Sequence, residues 1–203
     1  MTVNLQKGEK IDLRKTNGES LRNIVVGLGW DSLPPPKKGG IMGLFSSQPK
    51  TPEIDCDASV LMCQNGKLAG NKDVIYFGNL FHTSGAVKHT GDNRTGDGEG
   101  DDEQIIVNLD KLPAEYEKLV LVANVYQANL RGQHFGMIQN AFIRIVDMDT
   151  NNEICRFDLT EKYDGKKSMI FGEVVKQNDA WQFNALGEGT TDDSLGALMK
   201  RFN

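Results

Sequence analysis

The sequence contains few cysteines, and they are arranged neither as a disulfide framework nor as a zinc site. Cys56, Cys63 and Cys155 are an odd number, and no two of them form a CxxC pair. A tetrahedral zinc site needs four closely placed cysteine or histidine ligands. The three cysteines are therefore predicted to be reduced thiols within strands.

Long hydrophobic runs are also lacking. No stretch approaches the roughly 18–20 apolar residues that a membrane-spanning helix requires, so no membrane span is expected. The first residues, MTVNLQ, have neither the basic nor the apolar region of a signal peptide. A cytoplasmic location is therefore expected.

An excess of basic residues is absent as well, and the acidic charge is concentrated in one place. The formal net charge is −5, and the segment from Asp92 to Glu103 contains six acids and one base, Arg94. The rest of the chain is therefore neutral as a whole. Because binding to phosphate backbones requires a basic surface, nucleic acid is not expected as a partner. The local charge instead favours a cation site.

Most of the chain consists of short segments with the composition or alternation typical of strands. Residues 181–185, WQFNA, alternate apolar and polar side chains, as a half-buried strand requires. Asn65-Gly66 fits the type I′ turn of a hairpin. Many short strands separated by turn residues predict an all-β sandwich or barrel, formed by one domain over residues 1–203. The other predicted strands cover residues 24–30, 59–63, 74–77, 105–109, 119–125, 141–146, 154–159 and 169–175.

The C-terminal segment has a different pattern. Leu195, Leu198, Met199 and Phe202 follow the i, i+3, i+4, i+7 spacing of an apolar helix face. Acidic residues suit the positive end of a helix dipole. A short helix over residues 192–202, beginning at Asp192-Asp193, is therefore predicted, packed on the β-structure.

Residues 31–54 form a second exception. They contain five of the six prolines together with three glycines, which predicts a mobile insertion. Within it, residues 41–45, IMGLF, follow two lysines. This short apolar stretch is a candidate for peripheral contact with a membrane or a partner protein.

The acidic loop at residues 91–103, GDNRTGDGEGDDE, is the strongest functional signal in the sequence. Calcium binds six to eight hard oxygen ligands from carboxylates, amides, backbone carbonyls and water. The loop supplies carboxylates, and its glycines allow backbone carbonyls to turn inward. Without a cation these carboxylates would repel one another, so the loop is predicted to become ordered when a cation binds.

A pair of aspartates outside the loop completes the predicted cation site. Asp55 and Asp57 are separated by one residue, so on a strand both point to the same face while Cys56 points away. Asp31, which follows an apolar strand segment, is a weaker candidate ligand. Glu173, within another apolar strand, is either a ligand beneath the site or a solvent-facing residue.

Other interpretations of the acidic loop remain open. A solvated acidic turn without an ion is one of them, since most charge runs are solvent-exposed. Magnesium is another, although it usually retains water and uses few carboxylates. An EF-hand is excluded, because Arg94 and Gly96 occupy ligand positions and Asp97 replaces the required glycine.

The acidic loop resembles the signature loop of the TerD family, which comprises tellurium-resistance and stress-response proteins. Other segments are similar to that family too, and the resemblance covers essentially the whole chain. It implies a β-sandwich of two mostly antiparallel sheets, a site for two calcium ions and no catalytic activity of its own. The similar segments are residues 25–31, 55–59, 133–147, 156–161 and 171–174.

The resemblance also assigns candidate ligands. Asp97 and Glu99 match variable positions of the family loop, so Asp97 is only a secondary candidate. The proline-rich insertion is longer than the loop usual in the family, which leaves the distance between Asp31 and the site open. The ligands implied by the resemblance are Asp55, Asp57, Asp92, Asn93, Asp101, Asp102 and Glu103, with backbone carbonyls near Gly98 and Gly100.

The charge concentration, together with the family resemblance, implies a calcium-binding, non-catalytic stress-response protein that acts as a sensor, buffer or assembly module. The resemblance also implies other stress or tellurite-resistance proteins as candidate partners. Two alternatives belong to other classes. One is a metal-dependent phosphoesterase, in which two metal ions activate water, and the other is a module that docks to membranes or proteins when calcium is bound.

Overall fold

The computed structural model describes residues 2–33, 53–93, 100–178 and 180–203. Within these ranges the chain forms thirteen strands and two short α-helices. The helices are α1 (Ala128–Arg131) and α2 (Leu195–Met199). The strands are β1 (Val3–Leu5), β2 (Lys10–Asp12), β3 (Asn23–Ser32), β4 (Cys56–Gln64), β5 (Lys67–Leu68), β6 (Val74–Ile75), β7 (Val87–His89), β8 (Glu103–Asn108), β9 (Lys118–Val125), β10 (Ile138–Asp147), β11 (Asn152–Asp158), β12 (Ser168–Gln177) and β13 (Ala180–Thr190).

The strands form two sheets. The first sheet has the order β1-β11-β10-β3-β8-β7, and the second has the order β2-β13-β12-β9-β4-β5, with β6 also paired to β4. The β1–β11 pair is parallel, and the other pairs are antiparallel. The β-sandwich of two mostly antiparallel sheets is therefore confirmed.

The alternation of side chains along β4 explains how the second sheet uses its two faces. Cys56, Ala58, Val60 and Met62 point into the main core between the sheets. Leu61 and Cys63, on the opposite face, belong to a smaller apolar cluster that includes Leu198 of α2. Successive residues of a strand point to opposite faces, so Asp57 projects from the outer face, towards the side that carries α2.

The Asn65-Gly66 turn joins β4 and β5, as predicted. Asn65 has φ 53° and Gly66 has φ 77°. Positive φ values at both central residues characterise a type I′ turn, whose twist matches the twist of the flanking strands. Cys63 pairs with Leu68 and Gln64 with Lys67 across this hairpin.

The C-terminal helix is confirmed, but it begins later than predicted. The predicted helix started at Asp192-Asp193, whereas Ser194 is the N-cap and its hydroxyl accepts a hydrogen bond from the backbone N–H of Ala197. The Asp192 carboxylate instead pairs with Arg201. After Met199 the chain continues as a 3₁₀ turn over Lys200–Phe202, so the segment contains one α-helical turn and a tighter final turn.

The predicted mobile insertion at residues 31–54 is ordered at both ends. Asp31 and Ser32 belong to β3, where they pair with Gln139 and Ile138. Ile54 is buried, and its carbonyl accepts a hydrogen bond of 2.9 Å from the Trp30 indole N–H. Residues 34–52, including the apolar stretch 41–45, lie outside the described residues.

Two further predictions concern the cysteines and membrane helices. All three cysteines are buried free thiols, as predicted. In the part of the chain that the structure describes, no helix has the length and apolar character needed to cross a membrane.

Candidate metal centre

Three aspartates converge at one end of the second sheet. Asp55 immediately precedes β4, Asp57 lies within β4, and Asp92 lies in the segment between β7 and β8. One carboxylate oxygen from each lies within 4.8 Å of the other two. Asp55 and Asp57 are buried, whereas Asp92 is exposed. Asp55 and Asp57 therefore meet the acidic loop at Asp92. Cys56 points away from them, as predicted, and packs in the core.

The electrostatic environment of Asp57 disfavours its ionised form. Burial, and to a smaller extent the charges of Glu103, Asp55 and Asp92, raise the pKa of its carboxyl from 3.8 to about 8. A hydrogen bond from the Asn124 amide, 3.3 Å long, acts in the opposite direction. A cation between these carboxylates would remove the repulsion and stabilise all three in the ionised form.

A small cleft gives access to the cluster. Its volume is about 190 Å³, and it is lined by the three aspartates together with Phe77, Tyr126 and Arg131. Carboxylate oxygens that face such an opening are suitable ligands for a hard cation.

Arg131 is a member of the site that the sequence did not reveal. Its Nη1 atom lies 3.3 Å from Asp55 Oδ2, and its guanidinium carbon lies 5.1 Å from the centre of the Tyr126 ring. It lies at the end of α1, 76 residues from Asp55 in sequence. No local pattern marks it, because only the tertiary structure brings α1 beside β4.

The predicted ligand Asp101 forms a salt bridge instead of joining the three-aspartate cluster. Its two carboxylate oxygens accept hydrogen bonds of 2.7 and 3.0 Å from Nε and Nη2 of Arg144, and one also accepts from Gln104. A Cβ atom on Gly27 would lie 2.3 Å from the Asp101 carboxyl group. Glycine at position 27 therefore allows this carboxylate to pack directly on β3.

Asp102 and Glu103 connect the acidic loop to both sheets. Asp102 Oδ2 accepts from the backbone N–H of Trp30 at 2.8 Å, and Glu103 Oε2 accepts from the backbone N–H of Ala58 at 2.5 Å. Their other oxygens accept from the side chain and the backbone N–H of Asn93, respectively. These contacts hold Asn93, which follows Asp92 in the chain. The three predicted ligands Asn93, Asp102 and Glu103 therefore lie beside the cluster and support the position of Asp92.

The remaining loop candidates are only partly described. Gly98 and Asp97 lie outside the described residues. Gly100 has φ +103°, and a Cβ on Gly29 would lie 2.7 Å from its carbonyl oxygen. This carbonyl therefore packs against β3.

The two candidates from other strands do not join the three aspartates. Asp31 Oδ2 accepts a hydrogen bond of 2.7 Å from Asn140. Glu173 contacts Lys118 and Asn184, each at 3.1 Å. Across the sheet, Glu173 of β12 lies level with Leu61 of β4, with β9 between them. Leu61 is four residues, or about 13 Å, from Asp57 along β4, so Glu173 is distant from the cluster.

Comparison with known proteins agrees with the fold and with the motifs. The TerD domain family matches residues 1–202. The stress response protein SCP2 of Bacillus subtilis (strain 168) is 48% identical over 204 residues, covering 100% of both chains. The tellurium resistance protein TerD of Serratia marcescens is 40% identical over 190 residues, covering 93% of this chain and 91% of that protein.

A solved structure shows the same fold. The structure is a homologue of telluride resistance protein (TerD) from Streptomyces coelicolor A3(2), with a TM-score of 0.67 and 19% identity. The alignment covers 91% of this chain and 99% of that chain. The match over nearly the whole sequence and the shared two-sheet fold lead to one conclusion: the chain belongs to the TerD domain family.

Proposed function

We propose that this protein is a calcium-binding stress-response protein of the tellurium-resistance type, without catalytic activity. The observation that carries the proposal is the convergence of Asp55, Asp57 and Asp92, with one oxygen from each within 4.8 Å of the others. The stress-response and tellurium-resistance functions are those named for the two relatives.

The chemistry of the donor set supports calcium in this role. Three carboxylates supply up to six hard oxygens, and calcium accepts six to eight such ligands in flexible geometry. Asp55 and Asp57 are 6% and 4% exposed, so their charges are poorly solvated without a counterion. Arg131 pairs with Asp55 at 3.3 Å. A divalent cation would stabilise the ionised form of Asp57 and of its neighbouring carboxylates.

The surrounding contacts give the proposed ion a structural role. Asn93 is held by both Asp102 and Glu103, and these acids are in turn bonded to β3 and β4. An ion bound by Asp92 and by the two aspartates of the β4 segment would therefore connect the acidic loop to both sheets. The second calcium ion, implied by the family resemblance, remains part of the proposal and would draw on the acidic loop.

Calorimetric titration of the chelator-treated protein with calcium tests the proposal. We expect saturable binding, and calcium at about 100 times its Kd should stabilise the fold by about 2.7 kcal/mol. Asp57→Asn should abolish most of this binding because it removes a carboxylate from the centre of the cluster. Asp110→Asn, at an exposed residue whose carboxylate lies 3.6 Å from Arg22, is the matched control.

The titration also has an outcome that contradicts the proposal. Absence of heat and an unchanged melting temperature at millimolar calcium would show that the cluster is not a calcium site. Equal loss of binding in Asp57→Asn and Asp110→Asn would instead point to nonspecific attraction by the acidic surface.

A further inference from the structure

A large groove lies between the outer face of the second sheet and α2. Its volume is about 760 Å³, within the range of roughly 300–1,000 Å³ typical of small-molecule sites. Asp57, Phe77 and Tyr126 line both this groove and the small cleft at the aspartate cluster. The groove therefore begins at the candidate metal centre and extends towards Leu195 and Met199 of α2.

Aromatic side chains form one wall of the groove. The ring centres of Tyr76 and Phe77 are 5.3 Å apart at an interplanar angle of 77°, and those of Phe77 and Tyr126 are 6.2 Å apart at 81°. Phe77 remains 39% exposed. Such a row of edge-to-face rings offers apolar surface to a flat ring, and aromatic faces also attract cations.

Asn124 supplies a buried hydrogen-bond acceptor at the end of the groove near the metal centre. It lines the groove and is only 5% exposed. Its Nδ2 atom donates to Asp57 Oδ2 at 3.3 Å, whereas its Oδ1 atom has no hydrogen-bond partner among the described residues. When Asp57 is ionised, reversing the amide would place Oδ1 against its carboxylate, so that contact favours this orientation. A buried acceptor without a donor is costly, and a donor from a ligand would remove that cost.

The polar groups at this end of the groove select a donor that carries positive charge. Asp57 and Asn124 Oδ1 are both hydrogen-bond acceptors, and among the described residues of the lining the acids Asp57 and Asp193 outnumber the base Lys200. An ammonium group has three N–H donors and a positive charge, which complement two neighbouring acceptors. We propose that the groove binds a small aromatic amine, with its ring against Phe77 and Tyr126 and its ammonium group donating to Asp57 and Asn124.

The position of Asp57 links this groove to the metal centre. The same carboxylate would bind the ammonium group and the calcium ion, and both are cations. The two ligands should therefore weaken each other's binding by the same factor. This competition rests on the proposed calcium function, whereas binding of the amine to the calcium-free groove does not.

Phenethylamine is the probe, and 3-phenylpropionate is its counterpart of similar size and opposite charge. Each is titrated at pH 8.5, above the pKa of about 8 of the Asp57 carboxyl, into chelator-treated protein labelled with ¹⁵N, and the amide resonances are followed by NMR. We expect phenethylamine to shift resonances along the groove, including those of Leu195 and Gly196. The carboxylate probe should cause no saturable shift there because it would meet Asp57 and Asn124 Oδ1.

Two variants test the contacts separately. Asn124→Leu keeps the approximate size and removes the acceptor, and Phe77→Ser removes the aromatic surface. Each should weaken phenethylamine binding by about tenfold, as expected for loss of one hydrogen bond to a charged group or of one ring contact. Phe81→Ser is the matched control, because Phe81 is 59% exposed and does not line the groove, and it should bind the amine with unchanged affinity.

The titrations distinguish failure of this inference from failure of the calcium proposal. If phenethylamine causes no saturable shift in the groove, or if 3-phenylpropionate binds equally well, the amine site is refuted whatever calcium does. If calcium binds by calorimetry without weakening the amine, the shared role of Asp57 is refuted. If calcium does not bind, the proposed function fails, and the titration in chelator still decides whether the groove is an amine site.

Discussion

At the residue scale, the acids of the acidic loop have distinct roles in the structure. Asp92 joins the cluster with Asp55 and Asp57, whereas Asp101 forms a bidentate ion pair with Arg144. The resemblance of the loop to a family motif does not distinguish these roles, because each role depends on a residue far away in the sequence. Arg144 is 43 residues from Asp101, and no local pattern indicates their contact.

The Asp101–Arg144 pair makes a testable contribution to stability. Arg144→Ala should destabilise the protein by about 3–5 kcal/mol, because it leaves a buried carboxylate without its partner. The side chain of Asp101 is 1% exposed and that of Arg144 is 28% exposed. Urea denaturation measures the change in the free energy of unfolding.

The control for this prediction is an exposed ion pair. Arg22→Ala breaks a contact with Asp110 in which both side chains are more than 60% exposed, so the expected loss is at most about 1 kcal/mol. Similar losses in the two variants would show that the Asp101–Arg144 pair is no more than a surface contact.

Asp57 predicts how stability depends on pH. Its pKa is raised from 3.8 to about 8 in the folded protein, so between these values the folded state binds a proton that the unfolded state has lost. The stability of chelated protein should therefore fall as pH rises across this window. Calcium should reverse the trend, because binding requires ionised carboxylates and becomes stronger as pH rises.

Melting temperatures from pH 5 to 8.5, with chelator and with calcium, measure this dependence. Asp57→Asn isolates the contribution of Asp57 from that of other titrating groups, and its chelated form should lose less stability across the window. An identical pH dependence in the variant and the original protein would contradict the role given to Asp57.

At the element scale, β3 can contact the acidic loop closely because it has glycines at positions 27 and 29. A Cβ on Gly27 would lie 2.3 Å from the carboxyl group of Asp101, and a Cβ on Gly29 would lie 2.3 Å from the Phe142 ring. The sequence predicted an apolar strand here, but it did not indicate that the loop packs against these glycines.

Gly27→Ala should displace Asp101 and destabilise the protein by about 1–3 kcal/mol. Gly196→Ala is a control of opposite sign, because a Cβ there meets nothing within 4 Å and alanine favours the helix by up to about 1 kcal/mol. Thermal unfolding of both variants is the measurement. A neutral effect of Gly27→Ala would show that the loop moves away without cost.

The accuracy of the element predictions follows the strength of the local pattern. The alternating segment 181–185 and the apolar segment 119–125 are strands of the second sheet. β1 and β2 were not predicted, because three residues are too few to show a period and their pairing depends on distant strands. The start of α2 was predicted too early because Asp192 pairs with Arg201 and Ser194 provides the cap.

At the scale of the whole molecule, the sandwich positions the candidate site by bringing two sheets together at one end. Asp55 immediately precedes β4 of the second sheet, Asp57 lies at the start of β4, and Asp92 precedes β8 in the first sheet. Period-two alternation and the acidic loop predicted these components from the sequence. Arg131, Asn124 and Phe77 were not predicted as site residues, because they approach the aspartates only after the sheets and α1 have packed.

The central claim is that a calcium ion links the two sheets through Asp55, Asp57 and Asp92. A crystal structure of the protein soaked with a lanthanide, which replaces calcium and gives a strong anomalous signal, tests it most directly. We expect an anomalous peak with carboxylate oxygens of all three aspartates at about 2.3–2.6 Å. A crystal soaked in a saturating concentration of the lanthanide that shows no anomalous peak at these three residues would contradict this claim.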